Sequence, residues 1–542
     1  MVTRLEFKTG EPRCLKNCLS KLIEECKNFR EAKQIHAQIV KSPLLPTDDQ
    51  YYLITRLLFF CAFSNWGSFT YASKVFRTIK HPEIRAYNIM LRSYADLKDD
   101  GEDSHICRAL LIYREMLRNG ILPKNLTFPF LLKDCTRRLD ETTGLGIHAQ
   151  VTKFGFYDDI FVGNSLINLY MACRLLNNAR KLFDEMRVRD IVTWNSMIIG
   201  FLRNGELDNA MELFTRMSEK NIITWNSIIT GLVQGGRPKE SLQLFHQMQV
   251  SSEDTMVEPD KFTIASVLSA CAQLGSIDHG QWVHSYLRRS GLDCDVVLGT
   301  ALVNMYGKCG HADQAVEIFK EMTRKDASAW TAMISVFALH GLGEKAFDCF
   351  LEMEKAGVKP NHVTFVGLLS ACAHSGLVEK GRWCFDMMKN VYSIEPQVYH
   401  YACMVDILSR TKLFEEAERL IRDMPMKPDV YVWGSLLGGC QMHGNIDLGE
   451  KVAIHLINLE PHNHAFYMNL CDIYAKAGQF DAAKRVRNLM KERGIQKEIP
   501  GCSMIEICGV VHEFSAGVSL NLPTEIFLIV NELNNQMKLP GL

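Results

Sequence analysis

Within Ile191–Asn221, the apolar residues Trp194, Met197, Ile198 and Phe201 fall at i, i+3, i+4 and i+7, one face of a helix. Asn204-Gly205 then interrupts the pattern as a helix terminus does. Leu207, Ala210, Leu213, Phe214 and Met217 carry a second apolar face. The segment therefore predicts two short helices joined by a tight turn. Neither helix can bury its stripe alone, so neighbouring pairs must stack.

The pattern repeats. Trp194 and Trp225 lie 31 residues apart, each inside Thr-Trp-Asn-Ser, and Phe183, Phe214 and Phe245 keep the same interval. Met186, Met217 and Met248 keep it too, as do Met322 and Met353, while Asp260 to Asp295 stretches to 35 residues. The predicted class is all-α: a right-handed α-solenoid superhelix of stacked helix-turn-helix repeats. Units are expected at 16–50, 51–83, 84–124, 125–159, 160–190, 191–221, 222–260, 261–295, 296–326, 327–361, 362–397 and 398–429. Two divergent units follow at 430–463 and 464–497, then a tail at 498–542, with a short leader at 1–15. In this grammar the aromatic and Met stripes are core. Two polar insertions, Lys98–His105 and Ser251–Met256, are expected as loops.

Composition narrows the class without choosing a function. A chain of 542 residues with 47% hydrophobic content would hold three or four ordinary domains unless it is one array. Only 36 Gly and 16 Pro exclude collagen-like and broadly disordered chains. The longest apolar stretch, Tyr51–Phe63, is too short to span a bilayer and contains Arg56, so no membrane is expected. A net charge of −1 advertises neither nucleic acid nor an anionic surface. The 18 cysteines form no CxxC pair, and no secretory signal opens the chain, which reads as free thiols in a reducing compartment.

Catalytic signatures are sparse. Gly275 to Gly280 and Gly376 to Gly381 approach a phosphate-binding loop but lack its Lys-Ser/Thr, and both fall between the two helices of a unit. Cys440-x-x-His443 lacks a second ligand pair. No GxSxG or HExxH occurs. No cofactor or metal is expected.

The phrase Asp190-Ile191-Val192-Thr193-Trp194-Asn195-Ser196-Met197-Ile198 resembles the pentatricopeptide repeat, and the unit lengths resemble the P, L and S variants of the plant PLS subfamily. Phe128-Pro129-Phe130-Leu131-Leu132-Lys133 and Ile147-His148-Ala149 are similar to its L-type signature. Residues 430–497, with Val432-Trp433-Gly434-Ser435-Leu436-Leu437 and Leu459-Glu460-Pro461, resemble two E-type repeats. Pro500-Gly501-Cys502-Ser503 and Val511-His512-Glu513-Phe514 resemble the start of an E-plus extension, with departures at Met504 and across Val518–Pro523.

The resemblance implies a sequence-specific single-stranded RNA-binding factor. It would specify a cytidine-to-uridine editing site in organellar transcripts and recruit a deaminase-bearing pentatricopeptide repeat protein in trans. Multiple organellar RNA editing factors are implied as further partners. The alternatives are an organellar splicing, stability or translation factor, or a protein-interaction scaffold. A deaminase in cis would need His-x-Glu with Pro-Cys-x-x-Cys; His81-Pro82-Glu83 stands without the cysteine pair, so the chain is not expected to be an enzyme. Mitochondrion or chloroplast follows from the resemblance, mitochondrion slightly favoured, although the leader lacks serine and is a poor transit peptide by composition.

Such arrays read one base per repeat through two or three side chains, which the resemblance places at the fifth and last residues of a unit. Here these are Asn164/Asp190, Asn195/Asn221, Asn226/Asp260, Thr300/Asp326 and Thr331/Asn361. The family's code then implies U, pyrimidine, U, an uncertain base, G and A. Asn88/Lys124 and Ala402/Asp429 are weaker pairs, and Pro129/Asp159, Ala265/Asp295 and Val366/Gln397 weakly specified or silent. Helix capping alone would also favour Asp and Asn at the last position. It would not place Asn or Thr, poor interior helix formers, at the fifth.

Overall fold

The computed structural model describes residues 12–64, 67–96, 108–255, 257–495, 502–507 and 510–515. The chain divides into two compact units, Met1–Gly235 and Gly236–Leu542. Unit one holds α1 (Pro12–Glu24), α2 (Phe29–Lys41), α3 (Thr47–Phe63), α4 (Phe69–Thr78), α5 (Ile84–Asp96), α6 (Arg108–Arg118), α7 (Thr127–Arg138), α8 (Glu141–Lys153), α9 (Ile160–Ala172), α10 (Leu176–Glu185), α11 (Ile191–Arg203), α12 (Leu207–Arg216) and α13 (Ile222–Gln234). Unit two holds α14 (Pro238–Thr255), α15 (Lys261–Leu274), α16 (Ile277–Ser290), α17 (Val296–Lys308), α18 (Ala312–Glu321), α19 (Ala327–Leu339), α20 (Gly343–Lys355), α21 (His362–Ser375), α22 (Val378–Asn390), α23 (Val398–Arg410), α24 (Phe414–Arg422), α25 (Val430–His443), α26 (Ile446–Leu459), α27 (His464–Lys476) and α28 (Phe480–Glu492).

The all-α solenoid expectation holds. From α1 through α11 each odd-numbered helix packs on the next odd-numbered helix, as α7 on α9 and α9 on α11, and also on its own even-numbered partner. Unit two repeats the scheme from α15 through α27. Each unit is therefore two layers, first helices stacked side by side with second helices behind them. An antiparallel hairpin, β1 (Cys502–Ile507) with β2 (Val510–Ser515), follows the last helix in register Cys502↔Ser515.

The 31-residue period has a packing cause. Phe183 meets Trp194 edge to face at 4.9 Å, Phe214 meets Trp225 at 5.0 Å, and Phe319 meets Trp330 at 4.9 Å. On each Phe sits a cation: Arg189 at 4.8 Å, Lys220 at 5.0 Å and Lys325 at 5.1 Å. These Arg–Phe–Trp and Lys–Phe–Trp sandwiches seal the joint between a second helix and the following first helix. Behind them Met197, Ile198, Ala210 and Leu213 are buried as the stripes require. Burying one such large side chain stabilises by about 1.5–3 kcal/mol.

The near-miss phosphate loops resolve into repeat geometry. Gly376 ends α21 at φ +68°, a left-handed cap that other residues adopt at a cost, and Gly275 ends α15 at +64°. At Gly381 a Cβ would lie 2.8 Å from Ile407 Cδ1 of the next repeat. One glycine turns the chain and the other admits the neighbouring helix. Among the described residues no group of three or more His, Cys, Asp or Glu could hold a metal ion, and no helix is long and apolar enough to cross a membrane.

Helix α1 begins at Pro12, ahead of the expected start of the first unit at residue 16; proline suits a first helical position because its missing N–H would be unpaired there anyway. One local expectation needs correction. Ser251–Thr255 forms no loop but extends α14, since Ser-Ser-Glu-Asp-Thr contains neither Gly nor Pro to stop a helix. Met256, Lys98–His105 and Val518–Pro523 lie outside the described residues.

Candidate nucleic-acid interface

From repeat 125–159 onward, the last residue of a unit becomes the N-cap of the next first helix. Asp190 Oδ1 accepts from Thr193 N–H at 2.8 Å and from Thr193 Oγ1 at 2.7 Å. Asn221 with Thr224, Asp260 with Thr263 and Asn361 with Thr364 form the same reciprocal capping box. Asp326 caps α19 through Ala329 N–H at 2.9 Å, and Asp429 caps α25 through Tyr431 and Val432 N–H groups at 3.0 Å. Capping is thus real at every one of these positions. It engages one atom of each side chain.

The fifth residue lies beside that cap. Asn164 Nδ2 donates to Asp190 Oδ1 at 3.4 Å, and Asn195 Nδ2 donates to Asn221 Oδ1 at 3.3 Å. Asn195 Oδ1 accepts from Thr224 Oγ1 at 2.7 Å, locking its amide. Thr331 reaches Asn361 indirectly, through a 2.8 Å contact to Thr364 Oγ1, which donates to Asn361 Oδ1 at 3.2 Å. Asn164, Asn195 and Thr331 are buried, at 8%, 7% and 7% exposure, and Asn164 Oδ1 has no hydrogen-bond partner. A buried acceptor left empty costs about 1–3 kcal/mol. Burial opposes ionisation of Asp190, but bonds from Thr193 and Asn164 outweigh it and hold the carboxyl below the ordinary carboxylate range.

Other pairs are looser. Thr300 turns its hydroxyl back to Val296 O at 2.7 Å and makes no hydrogen bond to Asp326. Asn226 belongs to unit one, half-buried on α13, and Asp260 to unit two, where it caps α15. Asn88 Oδ1 accepts from Thr127 Oγ1 at 3.0 Å, while Lys124 is exposed at the unit's end. Ala402 is buried and offers no polar atom to Asp429.

The pattern of exposure adds residues that sequence reading passed over. Phe161, Val192, Ile223, Phe262, Val297 and Val363 are 47–68% exposed, and each is the second residue of a first helix. Positions two and five are one helical turn apart and share a surface. The pairs Asn164/Asp190, Asn195/Asn221, Asn226/Asp260 and Thr300/Asp326 therefore each have a solvent-facing apolar side chain one turn before the fifth residue, whereas Thr331/Asn361 has Ser328 there. The signal was present as Ile191-Val192 and Ile222-Ile223, adjacent apolar residues of which an amphipathic helix needs only one.

Comparison with known proteins places these features in context. Models of the PPR repeat match residues 164–191, 192–222, 300–326, 363–391 and 399–427, and a PPR repeat family model matches 220–273 and 325–374. An E motif model matches 443–506. A pentatricopeptide repeat-containing protein of Arabidopsis thaliana is 48% identical over 498 residues, 91% of this chain and 78% of its own. Two further Arabidopsis proteins of that description, one named mitochondrial and one chloroplastic, are 42% and 40% identical. They cover 83% and 92% of this chain, and the matches span 65% and 79% of theirs. Among solved structures, the pentatricopeptide repeat protein PPR10 in complex with an 18-nt psaJ RNA element aligns at 18% identity with a TM-score of 0.42, covering 90% of this chain and 80% of that one.

Proposed function

Because the chain belongs to the pentatricopeptide repeat family and carries an E motif, we propose that it is a sequence-specific binder of single-stranded RNA that specifies a cytidine-to-uridine editing site in an organellar transcript. The observation that carries this reading is the site complete in repeats 160–190 and 191–221: a buried Asn, a capping Asp or Asn beside it, and an exposed apolar side chain one turn away; repeat 327–361 keeps the buried Thr and capping Asn with Ser328 in the apolar place. A base stacks against the apolar residue while its edge meets the polar pair. Thr is short and leaves room for a purine. An Asp carboxylate accepts from guanine N–H groups, whereas an Asn amide both donates to and accepts from adenine.

The E motif favours editing over splicing or stabilisation, with the deaminase supplied in trans by a second repeat protein and with multiple organellar RNA editing factors as accessory partners. The mitochondrial and chloroplastic relatives favour an organelle. Transcriptome sequencing of a loss-of-function plant line tests the reading. It predicts loss of uridine at one or a few sites preceded by the inferred bases. Altered splicing or transcript ends with intact editing would refute it.

A further inference from the structure

A last residue can read a base only if capping leaves one of its polar atoms available, and the repeats meet that condition unequally. Asp295 caps α17 with Oδ1, which accepts from the Val297 and Leu298 N–H groups at 3.1 Å. Its Oδ2 accepts from Lys261 Nζ at 3.0 Å. Lys261 is the first residue of the same repeat. Repeat 125–159 has the same arrangement: Asp159 Oδ1 accepts from Val162 N–H at 3.1 Å, and Oδ2 from Asn125 Nδ2 at 3.1 Å. Asn125 is again the repeat's first residue. Both contacts span 34 positions.

Repeats with an apolar first residue lack this latch. Ile160 opens the repeat that ends in Asp190, and Val296 the one that ends in Asp326. The bonds from Thr193 and Asn164 to Asp190, and from Ala329 to Asp326, all end on Oδ1. Oδ2 is left for a ligand.

We propose that Lys261 and Asn125 are specificity-determining residues: each occupies the base-reading oxygen of its own repeat, so that repeats 125–159 and 261–295 space the RNA without reading it. The inference rests on the reading-pair function proposed above. The fifth residues agree with it, since Pro129 and Ala265 have no side-chain hydrogen-bonding atom. The Lys261 ammonium lies 5.6 Å over the Phe262 ring, which holds it near its carboxylate. Its hydrogen bond is the largest of the influences holding Asp295 below the ordinary carboxylate range, so the carboxylate it occupies stays ionised.

The test installs a reader in the silent repeat, with and without the latch. Ala265→Thr alone recreates the Thr/Asp combination found at Thr300/Asp326; Ala265→Thr with Lys261→Ile also gives the repeat an apolar first residue. Fluorescence anisotropy would compare RNAs carrying G or A opposite this repeat, with G or A opposite Thr300/Asp326 as the internal control. The double variant should prefer G by about tenfold. With Lys261 retained the preference should shrink about fivefold, the most that a half-exposed ion pair withholds, and return partly at high salt. Equal preference with and without Lys261, or none in the double variant while the control position discriminates, would overturn the latch. No discrimination at the control position would instead overturn the reading-pair proposal.

Discussion

Asn361→Asp, with Thr331 retained, isolates recognition from folding. Asn361 Oδ1 accepts from Thr364 N–H at 3.0 Å and from Thr364 Oγ1 at 3.2 Å, and an aspartate oxygen can take both bonds. Asp and Asn cap about equally well, and the helix N-terminus favours the added negative charge by about 0.3–1 kcal/mol. The variant should therefore melt within a few degrees of the parent. What changes is the outward atom, from an amide donor to a carboxylate oxygen. Adenine N1 then faces an acceptor where it needs a donor, whereas guanine presents N–H groups to that oxygen. A mismatched buried polar group costs about 1–3 kcal/mol, roughly 5- to 150-fold in affinity. Fluorescence anisotropy with two RNAs, differing only as A or G opposite this repeat, should give opposite orders for parent and variant. The same order for both proteins, with melting unchanged, would refute the assignment.

Phe161→Ala should weaken binding about 5- to 150-fold without regard to base, because stacking on an aromatic side chain is worth about 1–3 kcal/mol; its 68% exposure predicts an unchanged melting temperature. Removing residues 498–542 should leave RNA affinity within about twofold and abolish editing in a complementation assay; restored editing would contradict recruitment through that region. Stability should fall as pH drops from 7 towards 5, followed by the urea midpoint. Burial depresses the His36, His148, His284 and His400 imidazoles in the folded chain, so the unfolded chain binds protons first as the pH falls through its own histidine range near 6.5. Asp190 and Asp295, also depressed, extend the loss in the same direction through the carboxylate range near 4. A midpoint flat with pH would contradict this.

Much of the fold was legible because each unit repeats its own evidence. Phe183, Phe214 and Phe319 do the same work against Trp194, Trp225 and Trp330, so one correctly read unit explains the others. What escaped was local. Ser251–Thr255 read as an insertion by its length, yet nothing in it breaks a helix, and α14 continues through it. The exposed row from Phe161 to Val363 escaped because an apolar residue in a helix is ordinarily assigned to the core. The latch on Asp295 could not be read at all. Lys261 and Asp295 stand 34 residues apart, and only the superposition of one repeat's start on its own end brings them together.

On the proposed reading the same residues serve folding and recognition, and the division of atoms explains how. In Asp190, Asn221 and Asn361 the atom facing the helix is always a carbonyl or carboxylate oxygen accepting an N–H, the one requirement of a cap. The other atom, oxygen in Asp and nitrogen in Asn, is not constrained by the helix. Exchange between the two therefore alters donor and acceptor character at the base while leaving the cap intact. Thr331 and Asn195 show the complementary arrangement, since each is fixed through the hydroxyl of a capping threonine in the next repeat. On the proposed reading, geometry at the base is then set by contacts shared across the joint, and identity by one free atom. An array built this way can change its target one repeat at a time without losing stability. The latch uses the same logic in reverse: a polar first residue fills that free atom and silences the repeat while the cap, and with it the fold, stays as it was.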